Sequence, residues 1–305
     1  MRILATGGAG FIGSHVVEYY LKQGFDVVVV DNLSTGSREN LPSHKSLRFI
    51  EADITEDLEL DGPFDLIYHL ASPASPRDYL RLPIETLKVG SIGTINTLRL
   101  ARRFQAKYIL ASTSEVYGDP EVHPQDESYF GNVNPIGPRS VYDEAKRFAE
   151  AVTASYRREF GIKTMIIRIF NTYGPRMKKG DGRAIPTFVD QALGSKPITV
   201  YGDGSQTRSF CYIDDLISGM VRLAEVDHPG PVNLGNPDEF PIIELAHLVK
   251  ELTGSKSPIT FSPLPQDDPK RRCPDITLAS KLTGWRPQVP LREGLKHYIE
   301  WIRNT

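Results

Sequence analysis

From the N-terminus to Asn171, short apolar runs alternate with longer amphipathic stretches. Arg2 to Thr6 reads as a strand, followed by a glycine-rich turn and a helix from Gly13 to Gln23 that Gly24 ends. Val27 to Val30 is an unbroken run of β-branched residues, the pattern of a strand buried on both faces. Leu47 to Ile50, Leu66 to Leu70, Tyr108 to Ala111 and Thr164 to Ile169 are further strands by the same criterion. Ile84 to Phe104 and Val141 to Phe160 carry apolar residues at helical spacing. Strand and helix in this alternation predict an α/β fold with a parallel sheet, helices on both faces and right-handed crossovers.

Past Asn171 the texture changes. Tyr173 to Gly182 is rich in Gly, Pro and Lys, and Pro258 to Pro274 holds five prolines, so both are expected as loops. Helices are expected over Ile185 to Leu193, Asp214 to Glu225, Ile242 to Leu252 and Leu291 to Ile302. The division this suggests is a larger domain at 1–171 and a smaller C-terminal, substrate-binding domain at 172–305. Residues 213–236, with a strand near Val232, are expected to return to the main sheet.

Composition narrows the class. With 36 basic and 38 acidic residues, the chain has no charge excess with which to capture nucleic acid or an anionic membrane broadly. Its two cysteines, Cys211 and Cys273, fit a reducing compartment and packing roles. No apolar run approaches a membrane span, and Gly7 and Gly8 come too early for a signal peptide, so a soluble cytoplasmic protein is expected.

Gly7, Gly10 and Gly13 form G-x-x-G-x-x-G between the first strand and the first helix. Glycines there permit a tight turn and let backbone N–H groups approach a pyrophosphate at a helix N-terminus. A plain strand-to-helix turn would use glycine too, but Asp31 ends the next strand. A carboxylate at that place accepts from both ribose hydroxyls and repels a 2′-phosphate, favouring NAD over NADP. Together these features predict a Rossmann-like, doubly wound parallel sheet.

Tyr142 and Lys146 stand four apart on the second long helix and share a face. A lysine charge beside a cationic nicotinamide would lower the tyrosine pKa and make it a base towards a sugar alcohol. An exposed Tyr–Lys helix pair is the bland alternative. Ser112-Thr113-Ser114-Glu115, at the carboxyl end of a strand one crossover earlier, favours the chemical one. Glu115, two residues after Thr113 in what reads as extended chain, is expected to reach the reacting sugar and orient it. The seven histidines form no short His/Cys cluster, so no metal is expected. His69 reads as packed, Arg102-Arg103 as a solvated helix end, and Asp214-Asp215 as a helix cap.

With these residues in view, the chain resembles the extended short-chain dehydrogenase/reductase family of nucleotide-sugar enzymes. Within it, the chain resembles the branch that decarboxylates UDP-glucuronate. The resemblance rests on Gly7 to Gly13, Leu70 to Pro76, Ala111 to Pro124, Asn134 to Arg139, Tyr142, Lys146, Ile169 to Thr172, Gly204 to Arg208 and Asn233 to Asn236. It spans the catalytic chain, and the N-terminal membrane anchor of some relatives is not expected here.

The resemblance implies NAD contacts at Gly7, Gly10, Phe11, Ile12, Gly13, Asp31, Asn32, Thr35, Gly36, Asp53, Ile54, Leu70, Ser72, Thr113, Tyr142, Lys146 and Thr172. It puts the UDP-sugar at Lys88, Asn96, Asn171, Arg208 and Arg272, and catalysis at Thr113, Glu115, Tyr142 and Lys146. Guanidinium groups at Arg208 and Arg272 suit a diphosphate and a carboxylate. The implied reaction is a carboxy-lyase step, UDP-glucuronate to UDP-xylose through a 4-ketone. A 4,6-dehydratase, a 4-epimerase and a non-catalytic NAD-binding regulator are the alternatives. The family often has a polar residue at the place of Val89, Asn at Gly90 and an aromatic or hydrophobic residue at Ser34. Apolar residues on both long helices exceed what one sheet face absorbs, and the resemblance implies a homodimer through them.

Overall fold

The valines from Val27 to Val30 point alternately into two apolar layers. Val27 and Val29 lie with Ile3, Ala5, Tyr68 and Ile167 on one side, Val28 and Val30 with Leu4, Ile67, Leu110 and Ile166 on the other. Each such buried side chain contributes about 1.5–3 kcal/mol relative to exposure, which is why an unbroken apolar run belongs in the middle of a covered sheet. The structure, a computed structural model, describes residues 1–264 and 271–305.

Seven parallel strands make the main sheet: β1 (Arg2–Thr6), β2 (Asp26–Asp31), β3 (Leu47–Glu51), β4 (Leu66–His69), β5 (Lys107–Thr113), β6 (Thr164–Ile169) and β7 (Pro231–Leu234). Their order is β7-β6-β5-β4-β1-β2-β3. The returning strand near Val232 is β7, which pairs with β6 through Val232 opposite Ile167. The chain runs outward in both directions from the β1–β4 boundary. A crevice opens there at the carboxyl ends of the strands.

Helix α1 (Phe11–Lys22) covers one face of the sheet with Val16, Val17, Tyr20 and Leu21. The other face is covered by α2 (Pro83–Lys88), α3 (Thr94–Phe104) and α4 (Ser140–Phe160), whose Leu98, Ala101 and Ala149 lie in the second apolar layer. The expected single helix from Ile84 to Phe104 is in fact interrupted: Val89–Gly93 is a π-turn. Gly90 sits in that turn so close to α4 that a Cβ would stand 2.6 Å from the Ala145 methyl. The wider turn thus accommodates a close helix crossing. Helix α5 (Ile213–Glu225) packs beside α1.

Beyond Asn171, helices Ala184–Leu193, Ile242–Thr253 and Leu291–Asn304 fall where the periodicity puts them. The proline-rich stretch differs from its expected loop. Ile259–Ser262 pairs in parallel with Ile198–Tyr201, and Arg271–Arg272 pairs with Thr207–Ser209, which also pairs with Glu239–Pro241. These strands are two to four residues long, too short to leave a periodic signature. Residues 265–270 of that stretch lie outside the described residues. Among the described residues, no helix is long and apolar enough to cross a membrane.

Candidate active site

The turn after β1 crosses the sheet edge at very close range. Gly7 has φ +72°, and a Cβ there would stand 2.5 Å from the Ala71 backbone. A Cβ on Gly13 would meet the Gly7 carbonyl at 2.2 Å, so this glycine lets α1 start against the turn. Gly10 differs: its Cβ would meet only the Gly7 carbonyl, at 3.3 Å, with nothing else within 4 Å. Gly10 is the N-cap of α1 and no side chain caps the helix, so its first N–H groups face the cleft.

Asp31, at the end of β2, is buried and accepts from the backbone N–H of Ala9 at 3.0 Å and of Leu33 at 2.9 Å. Burial raises its pKa, and these two backbone bonds oppose the rise. Each oxygen keeps a lone pair for a further donor. Asp53 accepts from Asn32 at 3.0 Å and from Thr55 at 2.8 Å, which ties the ends of β2 and β3 together.

The cleft above these strand ends has a volume of about 1250 Å³. All seventeen positions assigned to NAD line it, and so do Glu115, Lys88, Asn171, Arg208 and Arg272. Asn96 does not. Its amide donates to the carbonyls of Ile54 and Glu56 at 3.0 and 3.2 Å, holding the segment after β3 against α3. These bonds make it a structural clamp between the two segments.

Tyr142 and Lys146 both face the end of β5 from α4. The Lys146 ammonium donates to the Ala111 carbonyl at 2.8 Å and stands 5.7 Å from the centre of the Tyr142 ring. Burial pulls the Lys146 pKa down to about 8, with Glu150 opposing. The expected lowering of the Tyr142 pKa by lysine is absent in the chain by itself. Burial pushes the phenol up, and the hydrogen bond with Thr113 is the chief opposing influence. Tyr79 stacks on Tyr142 at 5.2 Å and 6° between planes, fixing its ring.

Glu115 departs from the extended chain expected of it. Strand β5 ends at Thr113, whose Oγ1 accepts the Glu115 N–H at 3.2 Å and starts a 3-10 turn over Ser114–Tyr117. That turn aims the Glu115 carboxylate at two guanidinium groups. Arg139 donates to Oε2 at 2.5 Å, and Arg272 donates to Oε1. Burial opposes the carboxylate charge, but Arg272 and Arg139 outweigh it and hold Glu115 well below the usual carboxylate range. Arg272 also donates to the Gly118 carbonyl at 3.2 Å. Asp143, beside Tyr142, is pushed the other way by burial and by the Glu115 charge, and its Oδ1 is buried without a hydrogen-bond partner among the described residues.

Sequence reasoning missed Tyr79 and Arg139, because neither stacking nor a third ion-pair member leaves a spacing pattern. It also missed the support behind β5. Glu150 accepts from Ser112 at 2.6 Å and from Arg168 at 2.9 and 2.8 Å, and Arg168 donates to the Tyr117 hydroxyl at 2.9 Å. Tyr117 in turn donates to Asn233 on β7 at 2.8 Å. This chain fixes α4 to β5, β6 and β7, and so fixes the Tyr142 helix. His69 is buried between Thr6 at 2.9 Å and Thr94 at 3.1 Å, and burial lowers its pKa to about 3. It is a neutral packed group.

The sequence profile of the NAD dependent epimerase/dehydratase family matches residues 3–235. The chain belongs to this family. UDP-glucuronic acid decarboxylase 1 of Danio rerio is 52% identical over 304 residues, 99% of this chain and 72% of that protein. Among solved structures, UDP-glucose 4-epimerase of Thermotoga maritima with UDP-glucose has a TM-score of 0.92 at 32% identity, covering 100% of this chain and 99% of that one. UDP-glucose 4-epimerase of Thermus thermophilus, in complex with NAD, has a TM-score of 0.87 at 29% identity, with 99% of each chain covered.

The site of this NAD dependent epimerase/dehydratase family member fits its cofactor on local geometry. The open space over Gly10 is a cradle that a Cβ would begin to fill, and it lies at the uncapped start of α1. Asp31, with acceptor capacity to spare, stands at the adjoining strand end.

Proposed function

We propose that the chain is an NAD-dependent UDP-glucuronate decarboxylase forming UDP-xylose through a 4-keto sugar. The observation that carries this reading is the Glu115–Arg139–Arg272 cluster in the same cleft as Tyr142. Guanidinium groups suit a sugar carboxylate because they make bidentate, charge-assisted hydrogen bonds to it. A 4-epimerase has no carboxylate to place there. The relatives near 52% identity, all named as decarboxylases of this acid, support the same reading.

Gly10, the start of α1 and Asp31 would hold NAD by its pyrophosphate and ribose, with NAD preferred over NADP. When bound, NAD supplies reversible hydride exchange at carbon 4. Tyr142 takes the proton of the 4-hydroxyl, and Lys146 and Thr113 stabilise the phenolate. The resulting ketone is β to the carboxylate, so CO2 leaves as electrons move onto the carbon-4 oxygen. Tyr142 and Thr113 hold that oxygen as its charge develops; protonation at carbon 5, return of the hydride to carbon 4 and return of the Tyr142 proton to its oxygen would then give UDP-xylose. Glu115 fixes Arg272 in place for the substrate carboxylate. Lys88, Asn171 and Arg208 contribute to holding the rest of the UDP-sugar.

The chain divides into the larger NAD-binding unit, including the returning 213–236 segment, and the smaller sugar-nucleotide unit. It works as a homodimer. Ile84, Leu87, Ile92 and Phe148 are exposed on the α2–α3 and α4 side, an apolar face suited to an isologous partner. Cys211 and Cys273 are free thiols, consistent with a cytoplasmic location. Incubation with UDP-glucuronate and NAD, with the product identified by mass and NMR, tests the reaction. Appearance of UDP-xylose and CO2 supports it; unchanged substrate or a 4-epimer overturns it.

A further inference from the structure

The loop before Gln125, the strand Glu239–Pro241 and the chain after Arg272 bring three ligand-type groups together on the three-stranded sheet of the smaller half. His123, Glu239 and Cys273 each offer one donor atom, all within 4.8 Å of one another. Around a tetrahedral zinc ion, with bonds of about 2.0–2.3 Å, donors stand about 3.3–3.7 Å apart. The three atoms therefore need to move by only a fraction of an ångström to an ångström each.

The arrangement is held from behind. Gln125, two residues after His123, donates its N–H to the Cys273 carbonyl at 2.9 Å, and its Oε1 accepts the Cys273 N–H at 2.9 Å. Glu239 is fixed by its strand pairing to Ser209 and by the Thr207 hydroxyl, which donates to Oε1 at 2.6 Å. Its Oε2 meets His123 Nε2 at 2.7 Å. The thiol is buried, whereas His123 and Glu239 keep 27% and 28% of their side chains exposed, so a cation can reach the group from solvent. The Cys273 thiol donates to the Pro237 carbonyl at 3.2 Å, which fixes the direction of its sulfur.

We propose that His123, Glu239 and Cys273 form a binding site for a borderline-soft divalent cation of the zinc type. One imidazole, one thiolate and one carboxylate suit zinc and exclude magnesium, which takes oxygen donors in an octahedron. Binding displaces the thiol proton to solvent and replaces the His123–Glu239 hydrogen bond with two metal bonds. The site clasps the strands that carry Arg208 and Arg272, since Cys273 directly follows Arg272 and Glu239–Pro241 pairs with Thr207–Ser209. Sequence spacing gives no hint of it, because the three ligands are 116, 150 and 34 positions apart in turn.

The test is a Co2+ titration of the reduced, metal-free full chain, followed by competition with Zn2+ and with Mg2+. One equivalent of Co2+ is expected to produce a thiolate-to-cobalt charge-transfer band that Zn2+ removes and Mg2+ leaves unchanged. Cys273→Ser abolishes the band. His123→Ala and Glu239→Gln each weaken Zn2+ binding by about tenfold or more. His123→Ala changes a solvent-facing residue, so the fold stays intact and the result remains readable if Cys273→Ser misfolds. Absence of the band, or equal Zn2+ affinity in the unmodified chain and His123→Ala, overturns the proposal.

Discussion

At the cofactor end of the cleft, Gly7, Gly10 and Gly13 fall within a single turn, and Asp31 closes the very next strand. At the opposite end, Glu115 meets Arg139 from 24 residues away and Arg272 from 157. The first region works through backbone: N–H groups at a helix start, and glycines that let chain approach chain. The second works through long charged side chains that cancel one another's burial cost. Backbone sites are specified by local sequence and damaged sterically. Side-chain clusters are specified by topology and damaged electrostatically.

Changes at the point where the two regions meet should have the largest effect. Tyr142→Phe is expected to lower turnover by about 10⁴-fold, the upper range for a positioned acid–base group, and to leave NAD binding intact. Rapid-mixing absorbance for NADH and CO2 release check it. Activity within tenfold of the unmodified enzyme would remove Tyr142 from the chemistry.

Next comes the charged cluster. Glu115→Ala leaves two guanidiniums without their shared carboxylate, and about 3 kcal/mol of stability and about 10³-fold in turnover should be lost, with NAD affinity retained. The pH dependence follows in sign. Glu115 has a folded pKa below its unfolded one, so its contribution is present above the unfolded value and is lost as pH falls through the folded value. Denaturation of Glu115→Gln should therefore show a weaker acid limb than the unmodified chain. An identical limb would mean the cluster carries no linked stability.

The glycines sharpen the contrast from the other side. Gly13→Ala should fail by unfolding, because its Cβ would strike the Gly7 carbonyl at 2.2 Å. Gly10→Ala should fold normally and lose about tenfold to a hundredfold in NAD affinity, read by fluorescence titration. Equal damage to the fold from both changes would refute the cradle.

Asp31→Ala should weaken NAD binding by about tenfold, the scale of one charge-assisted hydrogen bond, and narrow the preference over NADP. Calorimetry with both cofactors measures it; an unchanged preference would reassign that carboxylate. The smallest effect belongs to Asn96→Ala. About 1 kcal/mol of stability should go with its bonds to Ile54 and Glu56, while turnover stays within a factor of two. A large rise in KM would return Asn96 to the substrate site.

Much of this was readable before any coordinates. The valine run, the glycine turn and the Tyr142–Lys146 spacing follow periods of one, three and four residues, which a sequence displays directly. The return of β7 was also visible, as an apolar strand with no partner nearby. Glu115 was legible as a chemical group but not as an ion-pair partner, since Thr113 turns the chain just where an extended reading would continue. The π-turn at Val89–Gly93 is not legible in the sequence, because apolar spacing reports that a segment is helical and not how its turns close. The clamp at Asn96 is not legible for a similar reason: helical spacing gives a residue's face, not which neighbouring segment its amide will meet.

Sequence by itself determined the α/β alternation, the glycine turn after β1 and the helix that carries Tyr142 and Lys146, because each depends on interactions within a few residues or on burial that periodicity records. Only the tertiary structure decided that Arg139 and Arg272 share Glu115, that Tyr79 braces Tyr142, and that His123, Glu239 and Cys273 converge. Those contacts join elements whose separation along the chain is set by loop lengths and crossovers. Their energies depend on distances of a few ångströms and on exclusion of water, and neither is written in the order of the residues.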